Sequence, residues 1–404
     1  MEFYKAVCAK YKVKINSHVV EVLQRTTATE NVTLTITGNH RLRPVQRLDD
    51  DDIRMLVQCL QIKQGLTGLD LKFNNITDEG VIYLAELLQK ENSSLSCLDL
   101  MFNDILTDGA KILCSSLQGN RTLLSLRLSG NKIGNKGGMH LAKMLQENDT
   151  LQELELADCD LGIQSIIALI ISMKSHKALR RVDLSRPLLF SHLEEWAVHC
   201  TDMLMVNCII VELHLAKMGM TDTGMQRLAE GLRLNRSLRY LDLRCNRVTR
   251  DGIRYLAEVL KQNPTLEIID LSSNRIEGEG AKYLSEAITC PGCSVKELSV
   301  TRNNIKAEGL LALTQAMTAN KTLTHIYVWG NHKDEPVCKA FRDLLSSGRL
   351  LPQHTDVSAY EVDGHIYLAE VFNALRRHYR TDSSGTDDTY NSLLGDRLKP
   401  TAST

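Results

Sequence analysis

The chain has 404 residues, and its 48 basic and 49 acidic side chains give a net charge of -1. This balance argues against bulk electrostatic attraction to nucleic acid or to an anionic membrane. Hydrophobic residues make up 43% of the chain and aromatic residues only 5%, so the core must be aliphatic. No stretch has the length and apolar character of a membrane span or a signal peptide, and no membrane partner is expected.

The eleven cysteines predict a reducing environment. Their number is odd, and most of them lie in apolar runs, where a reduced cysteine packs as a small hydrophobic residue. We therefore expect an intracellular protein of the cytoplasm or the nucleus, including the nucleolus. Matches to Asn-x-Ser/Thr, such as Asn120-Arg-Thr and Asn320-Lys-Thr, are then interpreted as repeat punctuation rather than glycan acceptors.

The first elements in chain order are an N-terminal cap and the beginning of a repeat. Residues 1–30 are predicted to form a helical cap, since Tyr4 to Leu23 is amphipathic. An imperfect repeat follows at Leu34. Its loop carries the acidic run 49–52, which is expected to begin a helix because carboxylates near a helix N-terminus favour the dipole.

From residue 66 the pattern L-x-x-L-x-L-x-x-N-x-I recurs at intervals of 28–31 residues. Its ten copies begin at Leu66, Leu95, Leu123, Leu151, Leu179, Ile210, Leu238, Leu266, Val295 and Leu323. The two leucines that are two positions apart share one face of a short strand, and the Asn satisfies backbone groups in the turn that follows. A Gly then opens a segment with helical apolar spacing. With the imperfect copy we expect eleven strands.

Stacking of these units predicts an α/β leucine-rich-repeat solenoid over residues 31–350. Helices are about 10 Å wide, whereas neighbouring strands lie about 4.8 Å apart. The stack must therefore curve into a horseshoe with a parallel sheet on the concave side and helices on the convex side. A final helix is expected over 340–345, a C-terminal cap over 351–380 with closure by 366–375, and a disordered tail over 381–404.

The middle copies depart from the pattern. The Asn position is occupied by Cys159, Pro187 and Met218, and the helix Gly is replaced by Ser165 and Leu193. Proline has no N–H to donate, and we expect a local break in curvature that divides the solenoid into two regular halves. Two interpretations stay open for this segment, a binding notch and a drifted repeat.

The repeat period and its Asn and Gly positions resemble the ribonuclease-inhibitor type of leucine-rich repeat, which also occurs in NOD-like receptors, the Ran GTPase-activating protein and tropomodulin. Two runs, Leu100-Met-Phe-Asn-Asp and Gly364-His-Ile-Tyr-Leu-Ala-Glu-Val, narrow the resemblance to one group within this type. It implies a horseshoe that binds proteins. The glycine-rich phosphate loop of a complete NOD-like receptor is absent from the sequence.

Candidate binding residues come from the strands and the turns that follow them. The residue between the two core leucines is acidic in six of ten copies, and this acidic stripe, expected to face the concave side, consists of Asp70, Asp99, Glu155, Asp183, Asp242 and Asp270. It is either a docking site for a basic segment or a row of acids tolerated because they face water. Further candidates are large or charged side chains that follow on the same wall: Phe73, Met101, Phe102, Tyr240, Arg244, Tyr327 and Trp329.

Other kinds of site find little support. The arginines between Arg233 and Arg254 alternate with acids and spread around the repeat, which argues against a nucleic-acid partner. The pair Cys290-Pro-Gly-Cys293 lacks the second ligand pair of a zinc site and is interpreted as a lengthened turn. No catalytic constellation is recognisable, so we expect no enzyme, no cofactor and no metal.

The sequence therefore predicts a non-catalytic scaffold that binds a protein partner on the concave face. Two alternatives remain. One is a structural component of a large assembly such as the ciliary axoneme, and the other is a regulator of a small GTPase, which rests on fold analogy alone. The oligomeric state is left open.

Overall fold

The computed structural model describes residues 1–26, 31–39, 43–61, 65–90, 94–189 and 194–375. The predicted disordered tail, the last five residues of the predicted C-terminal cap and Leu193 lie outside these ranges. The chain divides into two compact units, Met1–Met218 and Gly219–Thr404. The predicted break in curvature and the predicted domain boundaries stay predictions.

The first unit begins with two helices and continues as alternating strands and helices. Its helices are α1 (Glu2–Tyr11), α2 (Ser17–Arg25), α3 (Asp50–Leu60), α4 (Asp78–Gln89), α5 (Thr107–Gln118), α6 (Gly134–Glu147), α7 (Ile163–Met173) and α8 (Glu195–Val206). Its strands are β1 (Val32–Thr35), β2 (Leu66–Asp70), β3 (Cys97–Asp99), β4 (Ser125–Arg127), β5 (Glu153–Glu155), β6 (Arg181–Asp183) and β7 (Glu212–His214).

The second unit repeats this alternation and ends in a hairpin. Its helices are α9 (Asp222–Leu234), α10 (Arg250–Leu260), α11 (Glu277–Thr289), α12 (Ala307–Ala319) and α13 (Glu335–Ser346), with a 3-10 turn at Pro352–His354. Its strands are β8 (Tyr240–Asp242), β9 (Ile268–Asp270), β10 (Glu297–Ser299), β11 (His325–Tyr327), β12 (Val357–Val362) and β13 (His365–Glu370).

Within each unit the repeat strands pair in chain order and run parallel. The central leucines are in register, as for Leu98 and Leu126 in the first unit and Leu241 and Ile269 in the second. The core leucines of these strands are buried, and the following helices cover them with their apolar faces. The predicted leucine-rich-repeat solenoid, with one wall of parallel strands and one wall of helices, is thereby confirmed.

The Asn that follows the strand of each regular repeat hydrogen-bonds to several backbone groups, as predicted. In Asn131 the Nδ2 atom donates to the carbonyls of Leu128 at 2.7 Å and Leu100 at 2.9 Å, while Oδ1 accepts from the N–H of Ile105 at 3.1 Å. Asn131 is fully buried. Each such side chain therefore connects its own turn to the turn of the preceding repeat, where unpaired backbone groups would be costly.

The irregular repeats supply fewer of these hydrogen bonds. Cys159 occupies the Asn position after β5, and its Sγ atom lies 3.2 Å from the carbonyl oxygen of Leu128. Pro187 and Met218 occupy the same position in the next two repeats. A thiol is a weak donor, and the side chains of Pro and Met have no N–H or O–H to donate.

A second row of polar side chains closes the turn between each helix and the next strand. The Oδ1 atom of Asn120 accepts from the N–H groups of Thr122 and Leu123, and its Nδ2 atom donates to the carbonyl of Leu88. His176 takes this position after α7 and accepts from two N–H groups through Nδ1. The interpretation of the Asn-x-Ser/Thr matches as repeat punctuation is confirmed at Asn120, which is buried.

The helix glycines allow a close approach between neighbouring helix N-termini. A Cβ atom added to Gly80 would lie 2.4 Å from Oδ1 of Asp50, and this carboxylate accepts from the N–H groups of Thr77 and Gly80. Asp49 caps α3 in a capping box with Asp52. The acidic run therefore begins α3, as predicted, and also fixes the start of α4.

The second unit ends with an antiparallel β-hairpin rather than with another strand–helix repeat. The β12 and β13 strands pair with each other around the turn at Asp363-Gly364, and both strands pack against α13. The buried carboxylate of Asp356 accepts from the N–H groups of Val328 at 2.8 Å and Trp329 at 2.9 Å. It thus satisfies backbone donors at the end of β11, where the next repeat would otherwise pair.

Candidate functional site

The acidic stripe closes the turns at the ends of the strands. In each case Oδ1 of the Asp accepts from the backbone N–H two residues later. The distances are 3.2 Å for Asp70, 3.1 Å for Asp99, 2.9 Å for Asp183, 3.0 Å for Asp242 and 2.9 Å for Asp270. This short-range pairing is the habit that makes Asp common in turns. The stripe therefore has a structural role whether or not it contacts a partner.

Basic side chains neutralise much of the stripe in the first unit. Arg127 lies 3.0 Å from Glu153, 3.3 Å from Glu155 and 3.9 Å from Asp99. Arg181 also contacts Glu153, at 3.1 Å. This network was not predicted, because Glu153 and Arg181 lie two residues before the stripe positions Glu155 and Asp183, on the same face of their strands. The alternation of side-chain direction along a strand could have revealed the network, because residues two apart lie on the same face.

Burial shifts the titration of two stripe carboxylates. Desolvation, followed by the charge of the facing Asp70, raises the pKa of Asp99 to about 7. Desolvation, followed by the charge of Asp242, raises the pKa of Asp270 to about 6. In both pairs the two carboxylates face each other in register on neighbouring strands. A carboxyl removed from water favours its neutral form.

The expectation that the candidate residues are exposed on the strand wall is wrong for most of them. Eight of the thirteen are buried: Asp99, Met101, Glu155, Asp183, Tyr240, Asp242, Asp270 and Tyr327. Adjacent strands lie only about 4.8 Å apart, so side chains of neighbouring repeats cover one another. The Asp side chains also fold back onto the backbone. Asp70, Phe73 and Trp329 are half-buried, and Phe102 and Arg244 are exposed.

Phe73 and Phe102 come together as a stacked pair, which we call the aromatic pair. Their ring centroids are 4.7 Å apart and the ring planes differ by 2°. Phe102 is 43% exposed. Its ring lies over Gly130, where an added Cβ atom would be 2.4 Å from the Cδ1 atom of Phe102. The two rings therefore form a fixed apolar surface just beyond the ends of β2 and β3.

Both aromatic residues have left-handed backbone, with φ of 62° at Phe73 and 54° at Phe102. This position turns the chain away from the sheet in each repeat of the first unit, and the other repeats place Gly130, Asp158, Arg186 and Lys217 there. The left-handed backbone therefore belongs to the repeat turn itself, and the feature particular to these two repeats is that bulky Phe side chains, uncommon at positive φ, occupy the position. Asp70 and Lys72 lie beside the pair and contact each other at 3.0 Å.

The remaining candidates belong to the second unit and are largely occupied by internal contacts. Tyr327 is buried at the end of β11, and the Nζ atom of Lys333 lies 3.4 Å from the ring centroid of Trp329. Arg244 contacts the buried Asp242 at 3.1 Å. Tyr327 is therefore inaccessible to a partner, and one face of the Trp329 ring is covered by Lys333.

The arginine-rich segment and the pair of cysteines at 290 and 293 are the sequence features that could indicate a nucleic-acid or metal site. Arg239 pairs with Glu267, and Arg250 pairs with Glu279, so acids interleave with the arginines as predicted. Cys290 and Cys293 lie in one turn closed by a backbone hydrogen bond of 3.1 Å. In the described part of the chain, no three His, Cys, Asp or Glu side chains are grouped to hold a metal ion. Among the described residues no helix is both long and apolar enough to span a membrane.

The repeated strand, Asn turn and Gly-initiated helix define a leucine-rich-repeat protein. A sequence model of the family described as Leucine Rich repeat matches residues 66–85, 91–114, 119–142, 234–257, 262–285 and 293–313. The intervening irregular repeats, at β5 to β7, fall outside these matches.

Curated relatives place the chain within this class. It is 47% identical over 382 residues to leucine-rich repeat-containing protein 34 of Mus musculus, covering 93% of this chain and 92% of the relative. It is 46% identical over 404 residues to the protein of the same name in Homo sapiens, covering 98% of this chain and 87% of the relative. A mouse ribonuclease inhibitor is 27% identical over 131 residues, which are 32% of this chain and 29% of the inhibitor. The chain belongs to the family of leucine-rich repeat-containing protein 34, which confirms the resemblance.

Proposed function

We propose that this protein is a non-catalytic scaffold that binds another protein at the aromatic pair. The repeat class supports protein binding in general, and the stacked Phe73 and Phe102 rings support this particular place. They are held in left-handed backbone, and the exposed Phe102 ring presents an apolar surface of fixed orientation. A rigid aromatic anchor loses little entropy on binding and is the usual centre of an interface.

The proposal includes a preference for a partner with a basic residue beside its apolar anchor. Asp70 is the acidic-stripe residue that is not buried, with 17% of its side chain exposed, and it lies three positions before Phe73. Its carboxylate pairs with Lys72 at 3.0 Å, so a basic residue of the partner would share it with Lys72. The buried acids of the stripe would contribute to partner binding mainly through their electrostatic field. Arg127 and Lys72 already offset part of their charge. The predicted docking of a basic segment along the whole stripe is therefore narrowed to this end of the strand wall.

The location and the alternative roles remain proposals. An intracellular site in the cytoplasm or nucleus is consistent with the eleven cysteines, all of which are free thiols. Two alternative roles rest only on the resemblance to other leucine-rich-repeat proteins. One is a fixed place in an assembly such as the ciliary axoneme, and the other is regulation of a small GTPase. The aromatic pair would serve either role as a protein contact.

The test compares two single truncations at matched exposure. Phe102→Ala removes the exposed ring, and Met139→Ala removes a 44% exposed side chain on α6. Tagged wild-type and variant proteins are used to capture partners from a cell extract, and the captured proteins are quantified by mass spectrometry. We expect Phe102→Ala to reduce at least one specific partner tenfold or more, with no change for Met139→Ala. If both variants retain the wild-type partner set, the aromatic pair is not the binding site.

A further inference from the structure

The helix α7 differs from every other described helix of the protein because it contains no charged residue. Its sequence is Ile-Gln-Ser-Ile-Ile-Ala-Leu-Ile-Ile-Ser-Met. Helices on the surface of a soluble protein normally carry polar residues on the outer face, and a helix that is apolar all round is normally covered on all sides. Here Ile171 is 48% exposed. The outer side of α7 therefore has the composition of a buried surface.

The neighbouring helix α8 extends this surface, with the exposed Asp202 lying one turn from both Val198 and Met205 on the same side. It packs against α7 and exposes 49% of Val198, 48% of Met205 and 60% of Val206. We call the exposed side chains of Ile171, Val198, Met205 and Val206 the α7–α8 face. By contrast, the outer side of α6 carries Lys136, Lys143 and Glu147. The α7–α8 face belongs to the irregular repeats that follow β5 and β6, and it lies on the helix wall rather than on the strand wall.

The size of the face limits what can cover it. Four large side chains that are each about half exposed make a patch on the order of 400 Å², within the range of functional patches on monomers. A stable dimer buries about 800 Å² on each partner, so a second copy of the chain would need far more surface than this face offers. One amphipathic helix, with apolar residues at i, i+3, i+4 and i+7, matches both the area and the ridge spacing of two adjacent helices.

Charges at the two ends of the face define the orientation of such a helix. Because α7 and α8 both follow parallel strands, they run in the same direction. Lys174 and Lys177 are exposed at the carboxyl end of α7, and neither makes an ion pair with any described residue. Glu195 is exposed at the amino end of α8. Asp202 adds a second exposed carboxylate on α8, between Val198 and Met205. A helix with acidic residues over the two lysines and basic residues toward Glu195 and Asp202 would be complementary to this pattern.

We infer that the α7–α8 face binds an amphipathic helix of a protein partner, with the acidic end of that helix over Lys174 and Lys177. This interaction surface goes beyond the aromatic pair and is independent of it. The irregular repeats are then a second binding site, in which aliphatic side chains occupy part of the outer helix surface.

The test selects peptides against the full-length protein. A phage-displayed library of random 18-residue peptides is panned on the wild type, and binding of the enriched peptides is then measured on Ile171→Lys and on Met139→Lys. Met139 lies on α6 with similar exposure, which makes it the matched control. We expect enriched peptides with apolar residues at i, i+3, i+4 and i+7 and acids at one end. Their affinity should fall at least tenfold with Ile171→Lys and stay unchanged with Met139→Lys and with Phe102→Ala.

Several outcomes would overturn the inference. Enriched peptides without helical periodicity, or peptides that bind Ile171→Lys as well as wild type, would place the binding surface elsewhere. A concentration-dependent dimer in sedimentation that Ile171→Lys abolishes would make a second copy the occupant. A photo-crosslinker at position 171 that captures a segment of the same chain would make the face an internal contact. Circular dichroism and thermal melting of each variant verify that the fold is intact.

Discussion

The strands at β2 to β4 and those at β5 to β7 pair in the same parallel register, and all of them except the five-residue β2 have three residues. The side chains that close the turn after the strand nevertheless differ between the two groups. The regular repeats use Asn103 and Asn131, whose side chains each connect two turns. The irregular repeats place Cys159, Pro187 and Met218 there. The strand wall therefore tolerates the loss of its Asn hydrogen bonds when leucine packing continues beneath it.

The two regions also differ on the helix wall. The regular helices carry charges on their outer faces, whereas α7 has none and α8 exposes Val198, Met205 and Val206. A repeat that had only drifted would lose its turn residues without also exposing four large apolar side chains on two adjacent helices. The combination of both changes favours a specialised region, and the experiments below test how much each feature contributes.

The largest effect is expected at the Asn position. Replacement of Asn131 by Ala would leave the buried N–H of Ile105 without its partner. It would also remove one donor each from the carbonyls of Leu100 and Leu128, which keep Asn103 Nδ2 and the Asn131 N–H. The substitution should lower the free energy of unfolding by about 3 kcal/mol. Replacement of Cys159 by Ala in the next repeat removes one weak thiol contact and should cost about 1 kcal/mol. Urea denaturation of both variants measures the difference. Equal losses would show that the Asn hydrogen bonds do not distinguish the regular repeats.

The helix glycines should give an intermediate effect. The Cβ atom of Ala at position 80 would lie 2.4 Å from Oδ1 of Asp50, so Gly80→Ala should lower the free energy of unfolding by about 2 kcal/mol through overpacking. In the irregular repeat Ser165 occupies the same position, and its N–H still donates to Asn135 at 3.0 Å. The control is Gly119→Ala, where no atom lies within 4 Å of the added Cβ. If the Gly80→Ala protein had the same melting temperature as the Gly119→Ala control, the close-approach argument would be disproved.

The smallest effect concerns the pH dependence of stability. Folded Asp99 keeps its proton up to a pKa of about 7, whereas an unfolded Asp releases it near 4, so this group makes the folded state less stable as pH rises from about 4 to 7. Asp99→Asn keeps an oxygen for the N–H of Met101 and removes the titration. We expect wild type to lose about 1–2 kcal/mol more than Asp99→Asn over this pH range, since relaxation and water penetration reduce the penalty for a buried charge.

The control for this measurement is Asp104→Asn, which changes an exposed carboxyl in the following loop. Its pH profile should match that of wild type. Parallel profiles for wild type and Asp99→Asn would mean that the buried carboxyl does not titrate between pH 4 and pH 7.

The sequence by itself determined the repeat, its strands and helices, and the hydrogen-bonding task of Asn131, because a fixed interval of leucines admits one way of burying them. It also identified Phe73 and Phe102. Only the tertiary structure decided which candidates are accessible: Asp99, Met101 and Tyr240 are covered by side chains of the neighbouring strands. Exposure depends on contacts between repeats, and no single repeat carries that information. For the same reason the aliphatic residues of α7, such as Ile171, read as core in the sequence, and only the packing of α7 beside α8 leaves them facing outward.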